Sequence, residues 1–534
     1  MTAAGSLGSS RTGGRGLLLT LAPELRRILA YASAIGSEVP FGLLRDAMGA
    51  DEETLAEQLE RLVDLGLLRE RPGGGRFVFV EEEDRAAVYR SMTESRLRVL
   101  HRKIAGALER QNPEPAGVVV AELGRHYFLG KVPERSYGYN RRAGDIAREG
   151  PDPPSAIPAL ERALVDLGSL PGHHRAERAR LAETLGDLSF SIGSFRAADR
   201  YYREALDDAE HERPRTRARL LLARAEVARE GLDSAGAVDG ANLALKLFEL
   251  DPDPYGAAQA YRLLGRVAFQ LGRYRDSLDE TMRALAALPR DADPETLGQL
   301  SIDIGNAFTL LGDDVRPVAV EWYRRAVERL RGTRNRAELA RALHNLGSAV
   351  GESRPEEGLE LLERARDAAA EGHDPRSIGR ALLSGVELRI ALGQLEEADR
   401  DNDQAGRLLQ GLADELGCEQ VVLNRGRIAE KRGRWEEAET AYRRAAELAR
   451  ALRLTADEAD AQLYLARLRY KNHDVDGART AFGRATELKV TELSPRLERA
   501  YAELQRQLAA EVVAADPSRA GAPRRGAGAD PPPA

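Results

Sequence analysis

The sequence predicts an all-α chain: a solenoid of stacked, antiparallel helix pairs behind a small N-terminal module of three helices and one β-hairpin. Three observations carry that reading. A pattern of small residues recurs about every forty positions through most of the 534 residues. Aromatics are only 5% of the chain, so packing must rest on Ala and Leu. The one stretch outside the repeat reads helix, helix, helix, hairpin. Length alone, at roughly 150 residues per domain, would give three or four domains; the period replaces that count with one module and one long array.

Residues 1–16 (MTAAGSLGSSRTGGRG) have two arginines and no apolar run of their own, and read as a disordered tail rather than a signal peptide. The N-terminal module with its following helix spans 17–110. Leu21 to Ile35 has helical periodicity, and Phe41 to Met48 forms a second, short helix. Asp51 then caps a third, DEETLAEQLERLVDLG, whose first turn is acidic as the helix dipole favours. LLRERPGGGRFVFV alternates into a hairpin around Pro72-Gly73-Gly74-Gly75. Three helices and a hairpin make a winged helix-turn-helix. The helix that would enter a major groove carries Asp51, Glu52, Glu53, Glu57, Glu60 and Asp64 against Arg61 alone, so phosphate would repel it; Arg69, Arg71 and Arg76 of the wing do not compensate. DNA is therefore not expected as a partner. A connecting helical segment covers 111–135.

Residues 136–490 hold about nine repeats. Aligning on one Ala gives Ala163, Ala205, Ala244, Ala284, Ala326, Ala365, Ala405, Ala445 and Ala485, spaced 39 to 42 apart. Seven residues earlier, two helical turns, each unit again has a small residue: Ala156, Ala198, Ala237, Ser277, Ala319, Gly358, Ala398, Ala438 or Ala478. A third column in the preceding helix reads Gly144, Gly186, Ala225, Gly265, Gly305, Gly347, Val386, Gly426 and Ala466. Glycine inside a helix costs about 1 kcal/mol relative to Ala, so its recurrence requires close helix packing. Gly193, Gly272, Gly312, Gly393 and Gly433 mark turns between paired helices. A capping helix is expected over Pro495 to Val513 within 491–514, and a Pro/Gly/Ala-rich disordered tail over 515–534.

This order of Gly/Ala, Gly, Ala, aromatic and Ala resembles the tetratricopeptide repeat, which implies a right-handed α-solenoid. Tyr202, Tyr323, Tyr442 and Phe482 fit the aromatic position; Ala241, Thr281 and Asn402 do not. The usual unit is about 34 residues. A period of forty also falls in the range of HEAT-type repeats, but the spacing within each unit holds to the tetratricopeptide pattern.

The stretch after the hairpin carries three further motifs: Phe79 followed by Asp84-Arg85-Ala86-Ala87-Val88-Tyr89; Leu100-His101-Arg102, Ile104-Ala105 and Ala107-Leu108-Glu109; and Ala121-Glu122-Leu123 with Arg125-His126-Tyr127. Winged helix, these motifs and helical repeats together resemble the C-terminal half of STAND-type signalling ATPases. In that family a nucleotide-switch domain precedes the winged helix, and the repeats act as sensor or docking arm. The chain departs from the family in two ways. None of its six lysines is followed by Ser or Thr, so it has no P-loop, and the stretch ahead of Leu17 is too short for an ATPase domain. Where the family has F-x-H near the nucleotide, this chain has Phe79-Val80-Glu81. The ATPase activity does not carry over.

No other catalytic pattern replaces it. The eight histidines form no H-E-x-x-H; His173-His174 lies in a Pro-Gly linker, and His101 and His126 sit on apolar helix faces as core histidines. There is no G-x-S-x-G elbow. The single cysteine, Cys418, excludes disulfides and a multi-thiolate zinc site and points to a reducing, cytoplasmic setting. The acidic clusters at Asp251-Pro252-Asp253 and Asp401-Asn402-Asp403 lack calcium-loop spacing. No run of about 20 apolar residues could span a membrane. Net charge is −7 without a basic half, so bulk nucleic-acid binding is not expected. No metal or cofactor is expected.

What remains is surface. In a tetratricopeptide-like array the first helix of each pair lines the concave side, and positions −6, −3, +1 and +4 from the Gly/Ala column share one helix face. They place Arg180, Arg219, Arg262, Arg266, Asn306, Arg341, His344, Arg380, Arg427 and Arg467 there. Guanidinium groups pair bidentately with carboxylates, so the lining suits an acidic or extended peptide. The expectation is a non-enzymatic protein-interaction adaptor or regulatory scaffold. Two alternatives are a sensor half working with a separately encoded P-loop ATPase and a winged-helix transcription regulator.

Overall fold

The computed structural model describes residues 21–172, 174–488 and 501–510. The tails expected at 1–16 and 515–534 lie outside the described residues, as does His173. Of the expected capping helix, residues 501–510 are described; they are helical, with Leu504 and Leu508 buried. The chain divides into two compact units between Ala260 and Tyr261, within the helix Pro254–Gln270.

The first unit opens with helices Pro23–Ile35, Phe41–Met48 and Glu52–Asp64. The third follows its 3.6-residue period: Leu55, Leu59 and Leu62 are buried, while Glu52, Glu53, Glu57, Glu60 and Asp64 are exposed. Asp51 caps it, its carboxylate accepting from the Thr54 amide at 3.0 Å. The hairpin strands β2 (Leu68–Glu70) and β3 (Arg76–Phe79) pair antiparallel, and β1 (Val39–Pro40) adds a third strand on the far side of β3. That strand was not expected. Two residues are too short to show a period, and Pro40 is tolerated because β1 is an edge. Helices Glu82–Arg90, Glu94–Gln111 and Val118–Leu129 follow and share one core with the module through Ile28, Leu44, Leu100, Ile104 and Leu123.

Nine helix pairs follow in the described residues. Repeats one to three are Pro133–Glu149 with Ile157–Leu167, Arg175–Ser191 with Phe195–Asp208, and Pro214–Glu230 with Ser234–Leu250. Repeat four pairs Pro254–Gln270 with Tyr274–Ala287. Repeats five to nine are Pro294–Leu311 with Arg316–Leu330, Arg336–Gly351 with Pro355–Glu371, Pro375–Leu392 with Leu395–Gly411, Glu415–Lys431 with Trp435–Ala451, and Thr455–Lys471 with Val475–Glu487. The chain is an all-α solenoid of tetratricopeptide-like helix pairs with a small winged module.

The small-residue columns are the contact between paired helices. All nine members of the column from Ala163 to Ala485 are buried. A methyl group placed on Gly186 would lie 2.7 Å from the Tyr202 ring; on Gly305, 2.5 Å from Tyr323; and on Gly426, 2.6 Å from Tyr442. The glycine therefore makes room for the aromatic residue of its own repeat. Where Ala225 replaces Gly, the matching residue is Ala241 rather than Tyr. The five turn glycines have φ between 71° and 127°, the left-handed region that glycine enters without strain. Leu232 and His473 hold the equivalent turns of repeats three and nine at φ 62° and 61°.

Candidate functional site

Most of the arginines expected to line the docking face are tied down by carboxylates about one repeat away in sequence. In the first unit Arg219 pairs with Glu183 at 3.0 Å, and Arg180 is exposed. In the second unit Arg262 meets Asp303 at 2.6 Å and Gln299 at 2.6 Å, and Arg341 lies 4.0 Å from Asp303 while also meeting Glu338 of its own helix at 2.7 Å. Arg427, only 5% exposed, donates to Glu387 at 2.7 Å and to Asn424 at 3.0 Å; Arg467 lies 3.5 Å from Glu430, which also accepts from Lys471 at 2.7 Å. Arg266 is half-buried and engaged. These pairs stitch successive first helices together, and buried charges persist only when paired in this way.

Asn306 and His344 belong to one hydrogen-bond chain. Tyr323 Oη donates to Asn306 Oδ1 at 2.9 Å, and Asn345 Nδ2 donates to the same oxygen at 2.8 Å. Asn345 Oδ1 lies 3.2 Å from His344 Nδ1, which must be the donor, so His344 Nε2 accepts from Ser384 Oγ at 2.9 Å. Burial, with Arg380 nearby, holds the His344 imidazole below its usual pKa.

Beside His344 and Ser384 opens a cleft of about 380 Å³, lined further by Arg380, Glu387, Asp414, Gln420 and Asp457, with Leu383 and Leu416 as its apolar walls. Two of its carboxylates are occupied: Glu387 by Arg427, and Asp414 by Arg376 at 3.3 Å and by the Gly417 amide it caps at 3.0 Å. Two charges are left over. Among the described residues Arg380 has no ion-pair partner, and Asp457, held above its usual pKa by burial, has no cation beside it.

Glu419, on the helix Glu415–Lys431 that lines this cleft through Leu416, Gly417 and Gln420, is fully buried, and neither carboxylate oxygen has a hydrogen-bond partner. Burial, then the nearby carboxylates of Asp457 and Asp460, push its pKa up to about 8. Sequence reasoning missed it, although a signal existed. Seven residues before the Gly/Ala column the repeats read Tyr137, Ala179, Ala218, Ala258, Gly298, Ala340, Gly379, Glu419 and Ala459. Glu419 is the one charged residue in a column otherwise almost wholly Ala or Gly. Nearby, Asn402 Oδ1, Asn424 Nδ2, Gln462 Oε1 and Arg467 Nε are also buried without partners, so such atoms concentrate in repeats seven to nine.

The motif histidines of the first unit form a closed network instead. His101 Nδ1 and His126 Nδ1 lie 2.9 Å apart, Tyr89 Oη is 2.9 Å from His101 Nε2, and Arg125 donates to His126 Nε2 at 3.1 Å. The guanidinium can only donate, so His126 carries its proton on Nδ1 and His101 on Nε2, with Tyr89 accepting. Burial first, then Arg125, lowers the pKa of His101 to about 4 and of His126 to about 2. Glu109 of the same motif accepts from Tyr127 at 2.6 Å and Tyr139 at 2.7 Å. The two motifs thus lock helices Glu94–Gln111 and Val118–Leu129 together.

The acidic face of helix Glu52–Asp64 is exposed, and two wing arginines share one carboxylate, Arg71 and Arg76 both meeting Glu38 at 3.2 and 3.3 Å. Among the described residues no group of three His, Cys, Asp or Glu side chains is placed to hold a metal ion, and no helix is long and apolar enough to cross a membrane.

No family model matches the chain, and no curated protein matches it. Solved structures do. A signal transduction ATPase with numerous domains (STAND) carrying a tetratricopeptide repeat sensor, from Pyrococcus horikoshii, aligns at 13% identity over 89% of this chain and 68% of its own, with a TM-score of 0.44. Aspartyl phosphate phosphatase F from Bacillus subtilis aligns at 13% identity over 71% of this chain and 97% of its own, with a TM-score of 0.46. The apo form of the quorum sensor NprR from B. thuringiensis aligns at 14% identity over 74% and 99%, with a TM-score of 0.47. At these values none of the three bears on what this chain binds.

Proposed function

We propose that the chain is a non-enzymatic interaction adaptor or regulatory scaffold that docks an extended segment of a partner protein on the first helices of its repeats. One observation carries the reading: most charges on that face are cancelled between neighbouring repeats, and Arg380 and Asp457, left uncancelled, line the same cleft. A face whose charges were all paired would offer little electrostatic selectivity; an unpaired cation beside apolar walls suits a carboxylate on an extended peptide. Partner capture by the full chain tests this. Reversing Arg341 and Arg380 to Glu is expected to abolish capture of a partner that the unaltered chain retains; unchanged capture would sink the reading.

The sensor-half alternative has one point of support in the first unit. A cleft of about 950 Å³ is lined by Leu29, Ala30 and Val88, by Arg26, Arg90 and Arg96, and by the carboxylates Glu83 and Asp84. Among the described residues none of the three guanidinium groups has an ion-pair partner. A separately encoded P-loop ATPase docking there would co-purify in an ATP-dependent manner and be lost on Arg26→Glu with Arg96→Glu.

A further inference from the structure

The docked segment can be specified further from the carboxyl groups at the same cleft. Glu419 stands where seven of the other eight repeats use Ala or Gly, so the packing common to the repeats does not account for it. A buried carboxyl group without hydrogen bonds is unfavourable in the free protein, and such a feature persists where function requires it. The charged groups that act on it, Asp457 and Asp460 of the next repeat, are both acidic, and no cation is among them. Asp457 reaches the cleft, while Glu419 lies on the adjoining helix between the lining residues Gly417 and Gln420. Asp457 thus brings an unpaired negative charge into the cleft, and Arg380 is not among the groups that act on it.

We propose that the cleft receives a basic side chain, lysine or arginine, of the docked segment, with Asp457 as its ion-pair partner and Glu419 as the buried carboxyl group beneath it. The inference rests on the docking reading above and sharpens it: the segment carries a basic residue close to an acidic one, rather than being uniformly acidic. A proton balance follows. At pH 7 Glu419 is mostly protonated in the free protein. An arriving cation favours its ionised form, and the proton leaves to the buffer. Binding should therefore release a fraction of one proton. An uncharged ligand in the same cleft would release none.

The test uses the full-length chain and three labelled twelve-residue probes, built on Ala-Arg-Glu, Ala-Gln-Glu and Ala-Glu-Ala repeats. The Ala-Arg-Glu probe is expected to bind about tenfold tighter than the Ala-Gln-Glu probe. Asp457→Asn should erase that preference. Calorimetry in phosphate and in Tris at pH 7 should give different apparent enthalpies for the Ala-Arg-Glu probe, from the released proton, and Glu419→Gln, close to isosteric, should remove the difference. Equal binding of the Arg and Gln probes, or a preference untouched by Asp457→Asn, overturns the basic seat. If the Ala-Glu-Ala probe still binds and is lost on Arg380→Glu, the docking reading survives that result. If no probe binds, both fall.

Discussion

Two buried polar clusters in this chain differ in one respect. At the junction of helices Glu94–Gln111 and Val118–Leu129, two imidazoles are almost fully buried and every ring nitrogen has a partner. In repeat eight a carboxyl group is equally buried and neither oxygen has one. The first arrangement makes a rigid joint, because a satisfied network in a low dielectric fixes one geometry. The second leaves free energy available to a ligand. Burial is common to the two clusters; hydrogen-bond satisfaction distinguishes them.

The largest expected effect comes from breaking the satisfied cluster. His126→Ala strands Arg125 and His101 and opens a cavity, and should destabilise the first unit by about 3 kcal/mol. Trp322 and Trp435, the only tryptophans, both lie in the second unit. Their fluorescence transition should stay in place while amide exchange across residues 94–129 accelerates. Glu419→Ala has the opposite sign. Restoring the small residue should stabilise the second unit by about 2 kcal/mol at pH 8, read from the tryptophan transition, while weakening the Ala-Arg-Glu probe. A loss of stability there would break the contrast.

The two clusters should also respond oppositely to pH. Both histidines have folded pKa values below the unfolded value near 6.5, so the unfolded first unit binds more protons below that pH. Its stability is full above about 6.5 and falls as pH drops toward 4, by up to about 1.4 kcal/mol per pH unit per imidazole. Glu419 is raised, so its contribution is full below about 4.5 and is lost as pH rises through about 8. Denaturant unfolding at pH 5.5 and 8.5, followed by tryptophan and by amide exchange, should show the two trends crossing. Parallel trends would contradict the assignment. The smallest effect serves as a control. Ala413, next to the cleft residue Asp414, holds φ at 51°, so Ala413→Gly should stabilise the second unit by about 0.5 to 1 kcal/mol without altering probe binding.

Much of the architecture was legible because it repeats. Nine occurrences of the buried Ala and of the small residue seven positions before it overdetermine the helix pairs, and the five turn glycines fall in the left-handed turns. Strand β1, with only two residues, carried no pattern. The docking face was legible as a set of positions but not as a charge. A face count finds Arg427 and Arg262, yet it does not show that Glu387 and Asp303, one repeat away, lie opposite them. Reading each arginine against the residue forty positions off would have found those pairs. Glu419 is legible only by comparison across repeats: seven of its eight equivalents are Ala or Gly, and a carboxylate stands out only against them.

The most direct measurement is amide hydrogen exchange of the full chain with and without the Ala-Arg-Glu probe. Protection is expected in helices Glu415–Lys431 and Thr455–Lys471 and in the first half of Pro375–Leu392, around Arg380, with helices Glu94–Gln111 and Val118–Leu129 unchanged. Protection confined to the first unit, or none in repeats seven to nine at saturating probe, would contradict a docking site built on Arg380, Asp457 and Glu419.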